Sequence, residues 1–593
     1  MRVALLALPW PLFNRPSVQL GVLKGYLRRV LPEVEVHTYH PYLSFAAALG
    51  YEDYLKICDS SWLAESLGAG LLFPERRDRA RRLYERLSRR EGLRRPYEEV
   101  LALLESHLRA YLKAVPWSRF RVAGFSVCLN QLTLSLWAAN LLKREHPHLV
   151  IVFGGALCAG ELGRSLLEAF PFIDFVINRE GERPLAVLIR ALSRGGPEED
   201  LPGIFFRKEG RVRGGGELTL PPEEIPSPVY DDYFQELNHL PPEKRFFPLI
   251  PLEASRGCWW GKCHFCNLNL QWCGYRRRPL RAVLRDIRLH AQAGLLDFAF
   301  MDNCLDRKEA LTLFEELSRD GRDYRFFAEL RAIYSAEEFR LLRRGGLYWV
   351  QIGIEALSTS LLRRLGKGTT AMANVAAMRH CEEAGLELSA NLICHFPGTT
   401  EDEIRETLTA LDYVFPFRPL QTVSFWLGYE SPVFQNPERF GLRRIYPHPF
   451  YRYIFPPEVL RKMTPLAWAY QGDRKHQQRL WQPVIKKVKT WQKLWNKLYR
   501  EHGPLLTYRE GGDFLIIRQV TPEGRILHHR LRGLSREIYL FLTEPRSFRE
   551  VAETFPKISA EKLRAFLDDL ERKRLLFREG ERFLALAVRA SRG

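Results

Sequence analysis

Short apolar runs separated by helical patterns set the rhythm of the first third of the chain. Strand-length runs recur at 3–8, 34–39, 122–127, 149–153 and 172–177. Between them, 132–143 and 184–192 repeat apolar residues at helical spacing. This alternation predicts a doubly wound, Rossmann-like α/β domain over 1–200, with ligands at the carboxyl ends of parallel strands. The stretch 51–113 breaks the rhythm. Leu101, Leu104, Leu108 and Leu112 recur at helical spacing there, which predicts a helical insertion across one end of the sheet.

A linker is expected at 201–250, where Gly214-Gly215-Gly216, Pro221-Pro222, Pro226 and Pro228 cluster. A second βα series runs over 251–430, with strands at 297–301, 326–330, 349–354, 388–393 and 422–427. Helices fall between them, for example at 281–293 and 336–344, the latter opened by Ser335 with Glu338 three residues on as a capping box. Residues 431–510 are rich in Pro and Trp, then basic at Lys486-Lys487-Val488-Lys489, and predict no particular fold. Over 511–593, helical patterns at 535–542, 547–555 and 559–573 precede a hairpin signal at Glu579-Gly580-Glu581. Ser547 and Ser559 stand at N-cap positions, and the whole reads as a winged-helix-like module at 525–586.

At 593 residues the chain has room for roughly three or four domains. No apolar run approaches the roughly 18 residues of a membrane span. The opening Arg2-Val-Ala-Leu-Leu-Ala-Leu-Pro9 lacks a small-residue cleavage site and reads as a buried strand. Ten cysteines, seven of them scattered, do not make a disulfide framework, and a reducing cytoplasm suits them. The net charge of +19 favours acidic partners, but mixed-sign helical runs such as Arg76-Arg-Asp-Arg-Ala-Arg-Arg82 read as solvated faces.

The strongest chemical signal is Arg256-Gly-Cys-Trp-Trp-Gly-Lys-Cys-His-Phe-Cys266, which sets Cys258, Cys263 and Cys266 in a C-x4-C-x2-C triplet. A four-iron four-sulfur cluster takes one thiolate per iron, so three leave one iron open. Structural zinc is the alternative, with Cys273 or His264 as a fourth ligand. The glycine- and aromatic-rich setting and the α/β series that follows favour iron–sulfur.

The triplet resembles the cluster motif of radical S-adenosylmethionine (SAM) enzymes, with one residue more than the usual C-x3-C-x2-C. A widened first gap beginning Cys258-Trp259-Trp260 is similar to the cobalamin-dependent C-methyltransferases that mature ribosomally made peptides (RiPPs). Pro228-Val-Tyr-Asp-Asp-Tyr-Phe234, Gly353-Ile-Glu-Ala-Leu-Ser358, Gly124-Phe-Ser-Val-Cys-Leu-Asn-Gln131 and Gly154-Gly155 carry the likeness further, over most of 1–430. It implies a cobalamin-binding first domain, then a partial (β/α)6 radical SAM barrel over 251–430. The cysteines would hold the cluster, whose open iron chelates SAM. Strand-end carboxylates suit a ribose diol, so Glu329 and Glu355 are candidates there, and Asp302 and Asn303 for the methionyl amine. Phe265 and Asn391 complete the SAM set, while Met301 and Cys304 read as packing residues. For each carboxylate, a structural ion pair or helix cap is the alternative.

The corrin-binding candidates are Pro11, Ser126, Asn130, Gln131, Gly154, Gly155, Glu180, Gly181 and Glu182, in loops past the first domain's strands. No Asp-x-His-x-x-Gly motif occurs, so cobalt is expected to lack a histidine from that loop. The likeness implies methyl transfer to an unactivated carbon of a precursor peptide. The peptide's leader would be bound by the tail, and electrons would come from a flavodoxin or ferredoxin. No catalytic side chain is assigned. The tail resembles the RiPP recognition element, and its acidic helices (Glu550, Glu553, Glu561, Asp568, Asp569, Glu571) argue against nucleic acid. As a recognition module, its removal is expected to spare SAM cleavage. The alternatives are a non-methylating rearrangement, cyclisation or oxidation, or a nucleic-acid-directed enzyme.

Overall fold

Seven strands build the first sheet: β1 (Arg2–Leu6), β2 (Glu35–Tyr39), β3 (Val122–Ser126), β4 (Val150–Gly154), β5 (Phe175–Ile177), β6 (Ile204–Lys208) and β7 (Arg211–Gly214). The computed structural model describes residues 1–196 and 201–590, so the expected boundary at residue 200 lies outside the described residues. Their order, β2-β1-β3-β4-β5-β6-β7, puts a topological switch point between β1 and β3. The first five strands are parallel, and β6 and β7 add antiparallel to the edge. Residues 204–214 are therefore part of the sheet and not linker, a correction to the sequence reading. Gly214 takes φ +80 against the Ile204 carbonyl, where a Cβ would clash, so its glycine serves a hairpin.

The insertion folds as expected into helices, including Tyr51–Cys58, Ser61–Leu72, Arg77–Ser88 and Tyr97–Ala114. Leu101, Leu104, Leu108 and Leu112 form the buried stripe of the last.

The second α/β unit begins with β8 (Ile250–Leu252) and a short antiparallel pair, β9 (Ser255–Arg256) with β10 (Arg276–Arg277). Then come β11 (Asp297–Phe300), β12 (Arg325–Leu330), β13 (Leu347–Ile352), β14 (Glu387–Ser389), β15 (Asn391–Cys394) and β16 (Gln421–Ser424). Parallel pairing runs β8-β11-β12-β13-β14 and then β15-β16. The strand expected at 388–393 is broken at Ala390. Glu355, at φ +60, bridges the gap: its N–H donates to the Asn391 carbonyl and its own carbonyl accepts from Ile393. Ser335 and Glu338 form the expected capping box.

Residues 431–510 have a fold that the sequence did not disclose. A small sheet, β17 (Leu427–Gly428), β18 (Arg444–Pro447) and β19 (Ala467–Gln471), is followed by the long helix Gln482–His502. That helix buries Val484, Val488, Trp491, Trp495 and Leu498, and its two tryptophans donate to the Phe415 and Pro416 carbonyls.

The tail starts earlier than expected. An antiparallel meander, β20 (Leu506–Glu510), β21 (Phe514–Val520) and β22 (Ile526–Arg532), precedes three helices, Leu534–Phe541, Phe548–Thr554 and Ala560–Arg572. With β23 (Arg546–Ser547), β24 (Leu576–Glu579) and β25 (Arg582–Ala585) the helices follow winged-helix order; β26 (Val588–Arg589) returns to β20. One apolar core spans the barrel, the C-terminal extension at 431–510 and the tail. No helix among the described residues is long and apolar enough to cross a membrane.

Candidate active site

The pairing of β9 with β10 closes the neck of a loop, 257–275, that carries all three triplet cysteines. Gly257 sits at φ +81 with the Gly274 carbonyl where a Cβ would go, so the neck tolerates only glycine. Cys258, Cys263 and Cys266 are partly buried and close enough to influence one another's ionisation. Burial raises the Cys263 thiol and pushes Cys266 up to about 11. The proposed fourth zinc ligands point elsewhere. His264 Nδ1 bonds the Arg364 carbonyl at 2.7 Å, and Cys273 lies beside Glu217 and Arg179. Among the described residues, no three His, Cys, Asp or Glu side chains close on a single metal-ion position.

Beside the triplet, the carboxyl ends of the barrel strands gather charge. Glu355 pairs with Lys367 at 3.1 Å, and Glu329 stands near both. Burial, with Glu355 adding, pushes the Glu329 carboxyl up to about 7. Burial would depress the Lys367 ammonium, but Glu355 and Cys263 outweigh it and hold it above its usual value. The sequence reading missed Lys367 and also Arg331, whose guanidinium stacks over Trp260 at 4.2 Å and donates to the Lys367 carbonyl. Trp260 in turn donates to the Gly366 carbonyl at 2.9 Å. The Trp pair thus packs the cysteine loop against the β12 end and the 366–368 segment. Lys367 lies between Gly366 and Gly368, both at positive φ, a backbone feature that spacing alone does not expose.

The structure separates the two residues offered for the methionyl amine. Asp302 is buried against its own domain, accepting from Ala254 N (3.0 Å) and Ser255 Oγ (2.5 Å), and desolvation pushes it up to about 7. It fastens the segment leading into the cysteine loop. Asn303 instead lines a cavity, with its buried Nδ2 unpartnered. Asn391 meets Glu355 through its backbone carbonyl, and Phe265 packs on the barrel core.

That cavity encloses about 1140 Å³ counted to its mouth. Its walls combine Ser126, Gly154 and Gly155, from the carboxyl ends of β3 and β4, with Trp272 and Asn303 from the barrel. Glu180, Gly181 and Glu182 also line it, but both carboxylates are committed. Arg256 donates to Glu180 (2.9 Å), Glu182 (2.5 Å) and Glu253 (2.8 Å), while Arg276 also pairs with Glu180. Burial opposes ionisation of Glu182, yet Arg256 holds it below the usual carboxylate range. The other corrin candidates lie outside this lining. Asn130 Nδ2 donates to the Trp10 carbonyl at 3.0 Å, Gln131 Nε2 to Leu8 at 2.6 Å, and the Pro11 carbonyl accepts from Tyr54. All three pin the loop after β1.

Residues 252–411, most of the barrel, match the family model described as the radical SAM superfamily. Among curated proteins, the chain is 26% identical over 297 residues to an uncharacterized methyltransferase of Pyrococcus horikoshii, covering 48% of this chain and 63% of that one. It is 25% identical over 327 residues to the hopanoid C-3 methylase of Methylococcus capsulatus, covering 51% and 59%. It thus spans about three-fifths of the length of these relatives. The fold is similar to that of the cobalamin-dependent SAM radical enzyme OxsB, solved with aqua-cobalamin and SAM (TM-score 0.58, 16% identity, 85% of this chain and 73% of that one). It is also similar to the radical SAM methyltransferase TsrM of Kitasatospora setae, solved with cobalamin and a [4Fe-4S] cluster (TM-score 0.55, 15% identity, 83% and 90%).

Proposed function

We propose that this chain is a cobalamin-dependent radical SAM methyltransferase that methylates an unactivated carbon of a ribosomally synthesised precursor peptide. The observation that carries the reading is the first cavity, walled by strand ends of both α/β units and floored by Arg256, two residues from Cys258. Two unlike cofactors must meet over one substrate carbon, and this cavity is where the two units converge.

The residues present fit the three groups. Three neighbouring thiols on one loop suit a cluster with one open iron, and Cys258, Cys263 and Cys266 would hold it. Glu355, Glu329 and Lys367 would hold SAM, offering carboxylates to hydroxyls and an ammonium to its carboxylate. A corrinoid suits the first cavity: Gly154 leaves room for close approach, and the unpartnered Asn303 amide offers a donor to an amide side arm. When bound, the cluster supplies the electron that cleaves SAM and the corrinoid carries the methyl group. The chain's own residues orient and exclude water. Asp302 pins the entrance of the cysteine loop, and Trp259 and Trp260 cover it with Arg331.

A peptide substrate is supported by β22, which ends its sheet and, among the described residues, has one long edge without a strand neighbour. Exposed Arg525, Arg530 and Arg532 along that edge suit an acidic leader added as a further strand. An acidic flavodoxin or ferredoxin suits the basic surface as electron donor. The test is anaerobic reconstitution followed by incubation with SAM, reductant and a short precursor peptide encoded beside the gene. We expect about four iron and four sulfide per chain, one bound corrinoid and a peptide one methyl group heavier. Zinc in place of iron, or no corrinoid binding, overturns the reading; a product without the mass gain points to the non-methylating alternative.

A further inference from the structure

We propose that a second cavity, walled jointly by the helical insertion and the C-terminal extension, receives an aromatic group of the substrate; the substrate assignment rests on the methyl-transfer reading above. This cavity encloses about 1190 Å³ counted to its mouth and is lined mainly by carbon. Trp62 comes from the insertion, Leu129 and Leu157 from the loops after β3 and β4, Trp426 from just past β16, and His448 and Tyr451 from the extension.

Its position ties it to the reaction. Gly154 and Gly155 line the first cavity and Leu157 the second, so one short loop is the partition between them. Trp426 stands at the carboxyl end of the last barrel strand and is 46% exposed. The second cavity therefore opens beside the strand ends that build the active site. The extension, whose role the sequence left blank, supplies much of its wall.

Its chemistry selects the occupant. Two of the polar groups in the lining are already engaged: the Glu65 carboxylate accepts from Leu132 N and Thr133 N, each at 2.9 Å, and the Tyr451 hydroxyl accepts from Ala467 N at 3.2 Å. Burial pushes His448 down to about 4, so its ring is neutral at pH 7. A charged or strongly polar guest would lose its water against a wall that is mostly carbon. Ring surfaces are what remain. Trp62 stacks on His448 with centroids 4.9 Å apart and planes at 21°, and Tyr451 meets Trp62 edge-on at 4.9 Å. Such walls pair best with another ring, face to face or edge to face.

The test reads binding without turnover on the full-length, cluster-loaded protein. N-acetyl-tryptophanamide is titrated by saturation-transfer NMR, with N-acetyl-lysinamide as the polar control. The expected Kd is on the order of millimolar for so small a ligand, with the lysine probe at least roughly tenfold weaker, the equivalent of one ring contact. Two filling variants, Ala467→Phe and Leu162→Trp, should each weaken the tryptophan probe by a similar factor; melting temperature and iron content report whether they fold. Should neither fold, photo-crosslinking of wild type with a benzophenone-bearing phenylalanine amide decides, with labels expected in 59–65, 426 and 448–467. Equal affinity for both probes, undiminished binding by a folded filling variant, or labels elsewhere overturns the proposal. A protein that methylates its substrate yet fails these tests sinks this inference alone.

Discussion

Arg256 Nη1 donates to Glu180 Oε2 at 2.9 Å, joining two residues 76 positions apart and fastening the first α/β domain to the strand that enters the cysteine loop. Both side chains are almost wholly buried, and Glu182 and Glu253 share the same guanidinium. A buried cation holding three carboxylates is costly to remove because the anions stay behind. Arg256→Met is expected to destabilise the fold by about 3–5 kcal/mol, the usual range for breaking a buried pair, read by urea denaturation. Adding Glu182→Gln should recover part of that loss, since an anion whose salt-bridge partner was Arg256 goes with it. Equal stability of wild type and the single variant would show that water, not Arg256, balances the cluster.

This contact marks the limit of what the sequence discloses. Period and punctuation were legible: the helix cap at Ser335, the buried stripe of Leu101, Leu104, Leu108 and Leu112, and the parallel strands of both sheets emerge from them. Motif and strand end singled out the three cysteines and Glu355, and the structure sets Glu355 near Cys263. The direction of a loop side chain was not. Glu180 and Glu182 read as open strand-end carboxylates, yet a distant Arg claims them; Asp302 turns inward to Ser255, and Asn303 beside it faces the cavity. The break at Ala390 was hidden because both halves of the strand are equally apolar, and only the left-handed Glu355 between neighbouring ladders separates them.

Glu355 has a testable consequence. Its carboxylate sits 3.1 Å from Lys367 within the group of charges beside Cys263. Glu355→Gln keeps the shape but removes the charge, and SAM affinity should fall by on the order of 1–3 kcal/mol, the worth of a hydrogen bond to a charged group. Isothermal titration with SAM on cluster-loaded protein measures it, with iron content as the control. Unchanged affinity would leave Glu355 a structural partner of Lys367 and no more.

Glu65 predicts a pH dependence. It is buried at the start of the helix Leu132–Glu145, and desolvation pushes its carboxyl up to about 7, against the hydrogen bonds from Thr133 and Leu132. An acid whose folded pKa is raised binds its proton more tightly when folded, so its stabilising effect is complete below its unfolded pKa and is lost as pH rises through about 7. Wild-type stability should therefore fall between roughly pH 4.5 and 7 by up to about 3 kcal/mol from this group alone. Glu65→Gln should lack that slope, so the gap between the two proteins narrows as pH rises. Denaturation curves at pH 5.5 and 8 test it, and parallel curves would mean that Glu65 is ionised throughout.

The tail gives the last prediction, and its contacts with the barrel bear on whether its loss would spare the chemistry. The Glu579 carboxylate accepts from Met372 N at 2.7 Å, capping the barrel helix Ala371–Ala384, and the fully buried Arg379 of that helix donates to the Ala587 carbonyl at 3.0 Å. The barrel core is continuous with Leu563, Leu567 and Phe583 of the tail. Deleting 525–593 uncovers that surface and takes one acceptor from Arg379, leaving it Glu383 alone, so the truncated chain should be poorly soluble and take up little iron. Point changes on the open edge behave differently. Arg530 and Arg532 are exposed on β22, and reversing both charges leaves the core untouched. Arg530→Glu with Arg532→Glu should keep iron content and melting temperature while weakening an acidic leader peptide, with the difference shrinking as salt rises and screens the edge. Fluorescence anisotropy with a labelled leader peptide at low and high salt reads both effects. A soluble, iron-loaded truncation would show that the shared core is dispensable, and a leader bound equally by the charge-reversed protein would move the docking site off β22.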